Sequence, residues 1–296
     1  MNHRQKKMTQ SAYTFEEMEP QYNFRARRPD YGSVVEPDWV SRSERFRTRG
    51  SGRLDLRYGP GERDRLDFFP SQVADSPIVI FFHGGYWQRG DKSLYSFLAE
   101  PFVKNGISVA LVNYMLCPDV RVSDIVPQAQ RAVAWIHDKA LELGGSPDKL
   151  YIMGHSAGGH ITAMLMSTDW SKVAAHLPRK LIKGGIPISA LFDLVPLLYT
   201  SINNGLNMDA AEAIAQSPIH HPPLSDAPML LVYGGAETEH LKRQSEDYAS
   251  RFTTENLAIK QYEVPGCDHF DVLNALSTED SECFTRLLAL INAEPA

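Results

Sequence analysis

Ser156 stands in Gly154-His155-Ser156-Ala157-Gly158, directly after the apolar run Leu150-Tyr151-Ile152-Met153 and directly before a helical pattern. A serine hydroxyl becomes a useful nucleophile only when a neighbouring base takes its proton. A strand-to-helix turn bracketed by glycines supplies the geometry for that: the turn strains the serine backbone, and the glycines let helix and strand pass closely. The hydroxyl then stands at a helix N-terminus, where the dipole favours negative charge. Gly-x-Ser-x-Gly alone is a weak signal, but the buried strand before it and Gly159 after it give this copy the required context. His155 and His160 lie on the turn and its helix, so they are read as structural residues or substrate contacts rather than as the base. His160 is the expected substrate contact of the two.

Acyl transfer also needs donors for the oxygen that becomes negative. Phe81-Phe82-His83-Gly84-Gly85-Tyr86-Trp87 ends another apolar run, and its glycines allow the backbone close to such an oxygen. The expected donors are the amides of Gly84 or Gly85 and of Ala157. Tyr86 and Trp87 are either a wall for a flat substrate or packing residues.

A base should follow the last strand. Val264-Pro265-Gly266-Cys267-Asp268-His269-Phe270 offers His269, the one histidine after His240. In the chain order nucleophile, acid, histidine, the acid should follow Met229-Leu230-Leu231-Val232-Tyr233. Glu237 occupies the short loop there and would orient His269. Asp193, after the preceding strand, and Glu239, at the start of a helix where acidic residues are common, remain alternatives. Asp226 reads as a cap or loop residue. His220 and His221 are adjacent and belong to no second ligand cluster, so neither a metal nor a cofactor is expected.

These groups need a scaffold that brings loop residues far apart in sequence to one edge. From Leu54 onward, strands alternate with helices. Leu54–Tyr58, Leu66–Phe69, Ile78–Phe82, Ser108–Val112, Leu150–Met153, Gly184–Ile188, Met229–Tyr233 and Ile259–Val264 read as strands. Leu94–Lys104, Ser123–Leu143, Ala157–Ser167, Glu239–Phe252 and Glu279–Ile291 read as helices. In the second, Ile125, Ala129, Val133, Ile136 and Ala140 mark one buried face. The alternation predicts an α/β fold with a mostly parallel central sheet and helices on both faces. Leu194 to Pro223 interrupts it and is read as a small helical lid insertion.

The chain has 296 residues, 43% hydrophobic and 22% charged, enough for one domain with a large core. Residues 1–12 are read as a disordered leader and 13–296 as a single domain. The aromatic and basic stretch Gln21 to Arg28 points to a segment packed across that domain. A net charge of −6 gives no reason to expect nucleic acid or an anionic membrane as partner. No apolar run approaches a membrane span. Cys117, Cys267 and Cys283 are read as reduced thiols, which fits a cytoplasmic protein. The expected partner is a small-molecule substrate, and a homodimer is compatible with the sequence.

The motifs together resemble the kynurenine formamidase (arylformamidase) group, near the hormone-sensitive-lipase-like esterases of the α/β-hydrolase superfamily. The resemblance is carried by His83-Gly84-Gly85-Tyr86-Trp87, Gly154-His155-Ser156-Ala157-Gly158-Gly159-His160 and Asp268-His269-Phe270-Asp271. Gln21-Tyr22-Asn23, Tyr58-Gly59-Pro60-Gly61, Asn113-Tyr114, Cys117-Pro118 and Arg243-Gln244-Ser245 extend it over nearly the whole chain after Phe15. It implies the α/β-hydrolase fold, a Ser156, Glu237, His269 triad, and hydrolysis of N-formyl-L-kynurenine to L-kynurenine and formate in tryptophan breakdown. The sequence departs from the common esterase pattern in one place and from the animal members of the group in another. Tyr86 stands where many esterases carry a third glycine, and Glu237 stands where animal members carry aspartate. The alternative activity is that of a broad aryl or short-chain carboxylesterase. A non-catalytic, ligand-binding member is the reading from a different class.

Overall fold

The computed structural model describes residues 13–49, 52–224 and 226–293. The expected leader, residues 1–12, lies outside them. Eight strands form one sheet: β1 (Arg53–Arg57), β2 (Arg65–Phe69), β3 (Ser76–Phe82), β4 (Ser108–Val112), β5 (Gly145–His155), β6 (Ile182–Ile188), β7 (Met229–Gly234) and β8 (Ile259–Val264). Their order across the sheet is β1-β2-β4-β3-β5-β6-β7-β8. β2 pairs antiparallel with β1 and β4, and every other neighbouring pair is parallel. Each parallel strand therefore delivers its following loop to the same edge, which is where α/β sheets bind ligands.

The inner strands are apolar throughout because helices cover both faces. In β6 adjacent glycines show this directly. A Cβ on Gly184 would meet Leu290 at 2.7 Å, and one on Gly185 would meet Met166 at 2.8 Å. Neighbouring strand residues point to opposite faces, so the helices carrying Leu290 and Met166 lie on opposite sides. The edge strands β1 and β8 are largely exposed.

Twelve α-helices complete the described residues: α1 (Phe15–Tyr22), α2 (Phe24–Arg27), α3 (Glu36–Arg49), α4 (Ala99–Lys104), α5 (Val122–Leu143), α6 (Ala157–Met166), α7 (Trp170–Val173), α8 (Asn203–Leu206), α9 (Ala210–Ala215), α10 (Glu239–Phe252), α11 (Asp271–Leu276) and α12 (Glu282–Ile291). The expected face of α5 is buried at all five positions, and Gly144 ends the helix with φ 91°. The pattern read as one helix over Leu94–Lys104 begins instead as a 3-10 segment, Lys92–Leu98, before α4. The final helix starts later than expected because Ser281 caps it, accepting from Phe284 N at 2.9 Å. Between β6 and β7, short helices and 3-10 turns fill Val195 to His220. Among the described residues no helix is long and apolar enough to cross a membrane.

The sequence reading placed no helices before β1, yet α1 to α3 pack there. Thr14 opens α1 with a reciprocal cap to Glu17. Trp39 pins α3 to the domain: it is 1% exposed, packs against Tyr31, Tyr95, Phe97 and Phe270, and donates from Nε1 to Asn274 Oδ1 at 3.2 Å. Trp39→Ala should therefore lower unfolding stability by about 3–5 kcal/mol, seen as an earlier urea midpoint. A loss below about 1 kcal/mol would mean that the segment is not coupled to the core.

Candidate active site

Four loops leave the same sheet edge and converge. The first follows β5. Ser156 takes φ 57° and ψ −117°, a backbone region that costs an ordinary residue roughly 1–3 kcal/mol. Its surroundings enforce that conformation. Ser156 N donates to Ile188 O at 2.8 Å, which ties the turn to β6. A Cβ on Gly154 would come within 2.2 Å of Gly158 O, and one on Gly158 within 1.9 Å of Phe82 O. Only glycine permits these approaches.

The loop after β3 lies against this turn. A Cβ on Gly84 would sit 3.1 Å from the Ser156 Cβ, so the Gly84 backbone runs beside the nucleophile. Gly85, Tyr86 and Trp87 have φ of 114°, 53° and 56°, which folds the loop sharply back. Ala157 is the first residue of α6, so its N–H has no partner within the helix. The expected donors are thus gathered around Ser156.

The loops after β7 and β8 are bound to each other through the backbone. Gly235 N donates to Val264 O at 2.8 Å and Ala236 N donates to Cys267 O at 2.9 Å. Glu237 and His269 are carried on that joint. His269 Nδ1 lies 3.2 Å from Glu237 Oε2, and its Nε2 lies 3.0 Å from Ser156 Oγ. An ionised carboxylate can only accept, so Nδ1 carries the proton and Nε2 faces the serine as a lone pair. Glu237 Oε1 also accepts from Gly234 N at 2.8 Å and from the Ser189 hydroxyl. All three side chains are buried, at 2% for Ser156, 5% for His269 and 9% for Glu237.

The alternative acids lie elsewhere. Asp193 Oδ1 accepts from Val195 N at 2.9 Å, and its side chain lines a separate cavity of about 600 Å³ containing none of Ser156, Glu237 and His269. Glu239 is exposed in the first turn of α10, and Asp226 pairs with Lys180 at 3.0 Å.

A cavity of about 340 Å³ opens over Ser156 and His269. Tyr86 lines it. Trp87 and His160 do not: both are 0% exposed, and they pack edge to face with ring centroids 4.9 Å apart. The expectation that these two contact substrate is therefore corrected to a packing role, with His160 Nε2 donating to Gln216 O at 2.7 Å. The left-handed turn explains it, because it sends Tyr86 towards the cavity and Trp87 into the core.

Much of the cavity wall comes from residues before β1, which the sequence reading did not assign to the site. Asn23, Phe24, Arg25, Tyr31, Glu36 and Trp39 all line it. Phe24 stacks on the His269 ring at 3.9 Å between centroids. Arg28 pairs with Asp268 at 2.5 Å and Asp271 at 2.8 Å, and Asp268 Oδ1 accepts from the amides of Phe270 and Asp271. Burial works against the Asp268 charge, but these donors outweigh it and hold its carboxyl below the usual range. The Tyr86 hydroxyl donates to Tyr22 O. The one visible signal was the aromatic and basic run Gln21 to Arg28.

His155, read as a structural residue or a substrate contact, takes the structural part. Its Nε2 donates to His269 O at 2.8 Å, so it props the backbone of the residue beside the nucleophile. The Cys267 thiol is pushed up by burial and stays protonated. Among the described residues one group has metal-ligand chemistry, His137, Asp138 and His176. Both histidines hydrogen-bond one Asp138 oxygen, at 3.1 and 2.8 Å, which accounts for their proximity without an ion.

Three buried histidines make stability depend on pH. Burial lowers His83 and His160 to about 4 and His155 well below its ordinary value. Unfolded histidine binds a proton near pH 6.5, so between there and about pH 4 the unfolded chain holds protons that the folded one excludes. Stability should then fall as pH drops through this window, by up to about 1.4 kcal/mol per pH unit for each histidine. Urea midpoints that stay level from pH 7 to 5 would contradict it.

Comparison with known proteins places this geometry. The BD-FAE family profile matches residues 66–195. A kynurenine formamidase of Salmo salar is 34% identical over 257 residues, covering 84% of this chain and 85% of its own. A kynurenine formamidase of Danio rerio is 33% identical, with 84% of each chain covered. Among solved structures, a candidate thioesterase from Silicibacter sp. TM1040 superposes with a TM-score of 0.78 at 32% identity, covering 94% of this chain and 99% of that one. With the fold, the serine turn and the relatives in agreement over most of its length, this chain belongs to the kynurenine formamidase family of α/β hydrolases.

Proposed function

We propose that the protein is a metal-independent serine hydrolase that converts N-formyl-L-kynurenine to L-kynurenine and formate. The observation that carries this is the continuous line Ser156 Oγ, His269 Nε2, His269 Nδ1, Glu237 Oε2, at 3.0 and 3.2 Å, beneath an aromatic-walled cavity in a chain of this family.

His269 takes the Ser156 proton as the oxygen attacks the formyl carbon. The resulting oxyanion is held by the amides of Ala157 and of Gly84 or Gly85. Collapse breaks the carbon–nitrogen bond, and the proton held on His269 passes to the departing arylamine. A water molecule, deprotonated by His269, then attacks the formyl ester and releases formate, and Ser156 recovers its proton. Glu237 keeps the imidazole in the tautomer that presents Nε2 and offsets the charge formed on it. Phe24 covers one face of the ring and limits water there.

The same machinery would cleave an ester or thioester, and the likeness to the candidate thioesterase favours that as a second reading. A panel of N-formyl-L-kynurenine, aryl acetates and short-chain acyl thioesters separates the two through kcat/KM. Formamide turnover should lead; esters exceeding it by about 100-fold or more would reverse the assignment. Ser156→Ala should abolish turnover while keeping the circular dichroism spectrum, and full activity would end the proposal. Glu237→Gln should cut kcat by about 10⁴, whereas a rate near that of the unaltered enzyme would remove Glu237 from the role.

A further inference from the structure

We propose that Arg25, Arg89 and Glu36, at the mouth of the Ser156 cavity, form a subsite for the amino-acid head group of the substrate. The arginines would take its carboxylate and Glu36 its ammonium. The inference rests on the hydrolase reading above and names what that site selects.

All three residues line the cavity that holds Ser156 and His269. Arg89 is built onto the loop beside the nucleophile: a Cβ on Gly85 would lie 2.9 Å from Arg89 Cγ, so the arginine stem crosses directly over that loop. Arg25 comes from α2, its guanidinium 4.4 Å from the centre of the Tyr31 ring. Glu36 begins α3.

The cations at this mouth outnumber the anion: Glu36 is the carboxylate whose charge acts on Arg89. Arg28, three residues after Arg25, has three carboxylate partners in Asp30, Asp268 and Asp271. Among the described residues neither Arg25 nor Arg89 has an ion-pair partner. Burial and the neighbouring Arg25 charge push Arg89 below its ordinary value and outweigh the opposing pull of Glu36, so the two cations and the one anion share one electrostatic environment. A bound carboxylate would relieve that repulsion, and a guanidinium matches its two oxygens. Two cations and one anion complement a group with one carboxylate and one ammonium better than a neutral aryl or alkyl chain. Phe24 and Tyr86 supply the apolar wall between this mouth and the serine.

The test compares N-formyl-L-kynurenine with ortho-formamidoacetophenone, which keeps the aryl formamide and lacks the head group. The readout is the ratio of their kcat/KM values. Arg89→Met and Arg25→Met should each lower that ratio by about tenfold or more, the scale of one charge-assisted hydrogen bond. Glu36→Gln should lower turnover of N-formyl-L-kynurenine relative to its deaminated acid. Ratios within about twofold of the unaltered enzyme in both arginine variants would overturn the subsite. Should neither formamide be hydrolysed, the formamidase reading fails, and the subsite is judged on O-acetyl-L-tyrosine against p-tolyl acetate. A drop of the same size in that ratio upholds it, and an unchanged ratio overturns it.

Discussion

A Cβ at position 158 would stand 1.9 Å from the carbonyl oxygen of Phe82. This approach between the start of α6 and the end of β3 constrains everything at the sheet edge. It draws the helix tight against β3 and β5, and the turn in between must then take the left-handed conformation seen at Ser156. The same contact brings the loop after β3 alongside the nucleophile, because that loop begins where Phe82 ends. The candidate nucleophile and its candidate oxyanion donors are therefore positioned by one piece of packing. Hydrogen bonds to β6 and within α6 offset the strain, with His160 N donating to Ser156 O at 3.0 Å.

The other half of the site depends on a second joint, made between backbones. The loops after β7 and β8 exchange amide hydrogen bonds, and a Cβ on Gly234 would meet Cys267 O at 2.2 Å. Glu237 and His269 are thus carried on one backbone joint. His155 then links the two joints through the carbonyl of His269. Because these supports are mostly main-chain contacts, they hold the side chains without consuming the polar atoms that the chemistry requires.

The residues before β1 convert this catalytic edge into a cavity. Trp39 anchors them by burial, Arg28 by charge to the histidine loop, and Tyr22 through its carbonyl to Tyr86. Gln244, in α10, adds to this by donating to the Tyr22 hydroxyl at 2.7 Å and accepting from the amides of Phe192 and Asp193. The consequence is a buried imidazole with an aromatic ring on one face, and a mouth carrying more positive than negative charge. Without this segment the same sheet edge would lose much of that wall.

Strand periodicity, the glycine-bracketed serine and the order of the loops were legible because each is a local pattern. Strand alternation needs only two-residue spacing, and a turn that demands glycine leaves glycine in the sequence. Ser156 and His269 could be named on that basis, and Glu237 as the leading acid beside Asp193 and Glu239. Two things were not local. Pro20 inside α1 and the sparse apolar residues of the first helices concealed that they form a wall. The fates of Tyr86 and Trp87 were undecidable as neighbours of equal character, since only the consecutive left-handed turn sends one to the cavity and the other to the core. Sequence alone therefore determined the candidate groups, with the acid left open among three, and the order in which the sheet presents them. Tertiary structure decided what surrounds them, because much of the wall comes from residues 23–39, more than a hundred positions before Ser156, held by burial and charge that no local spacing records.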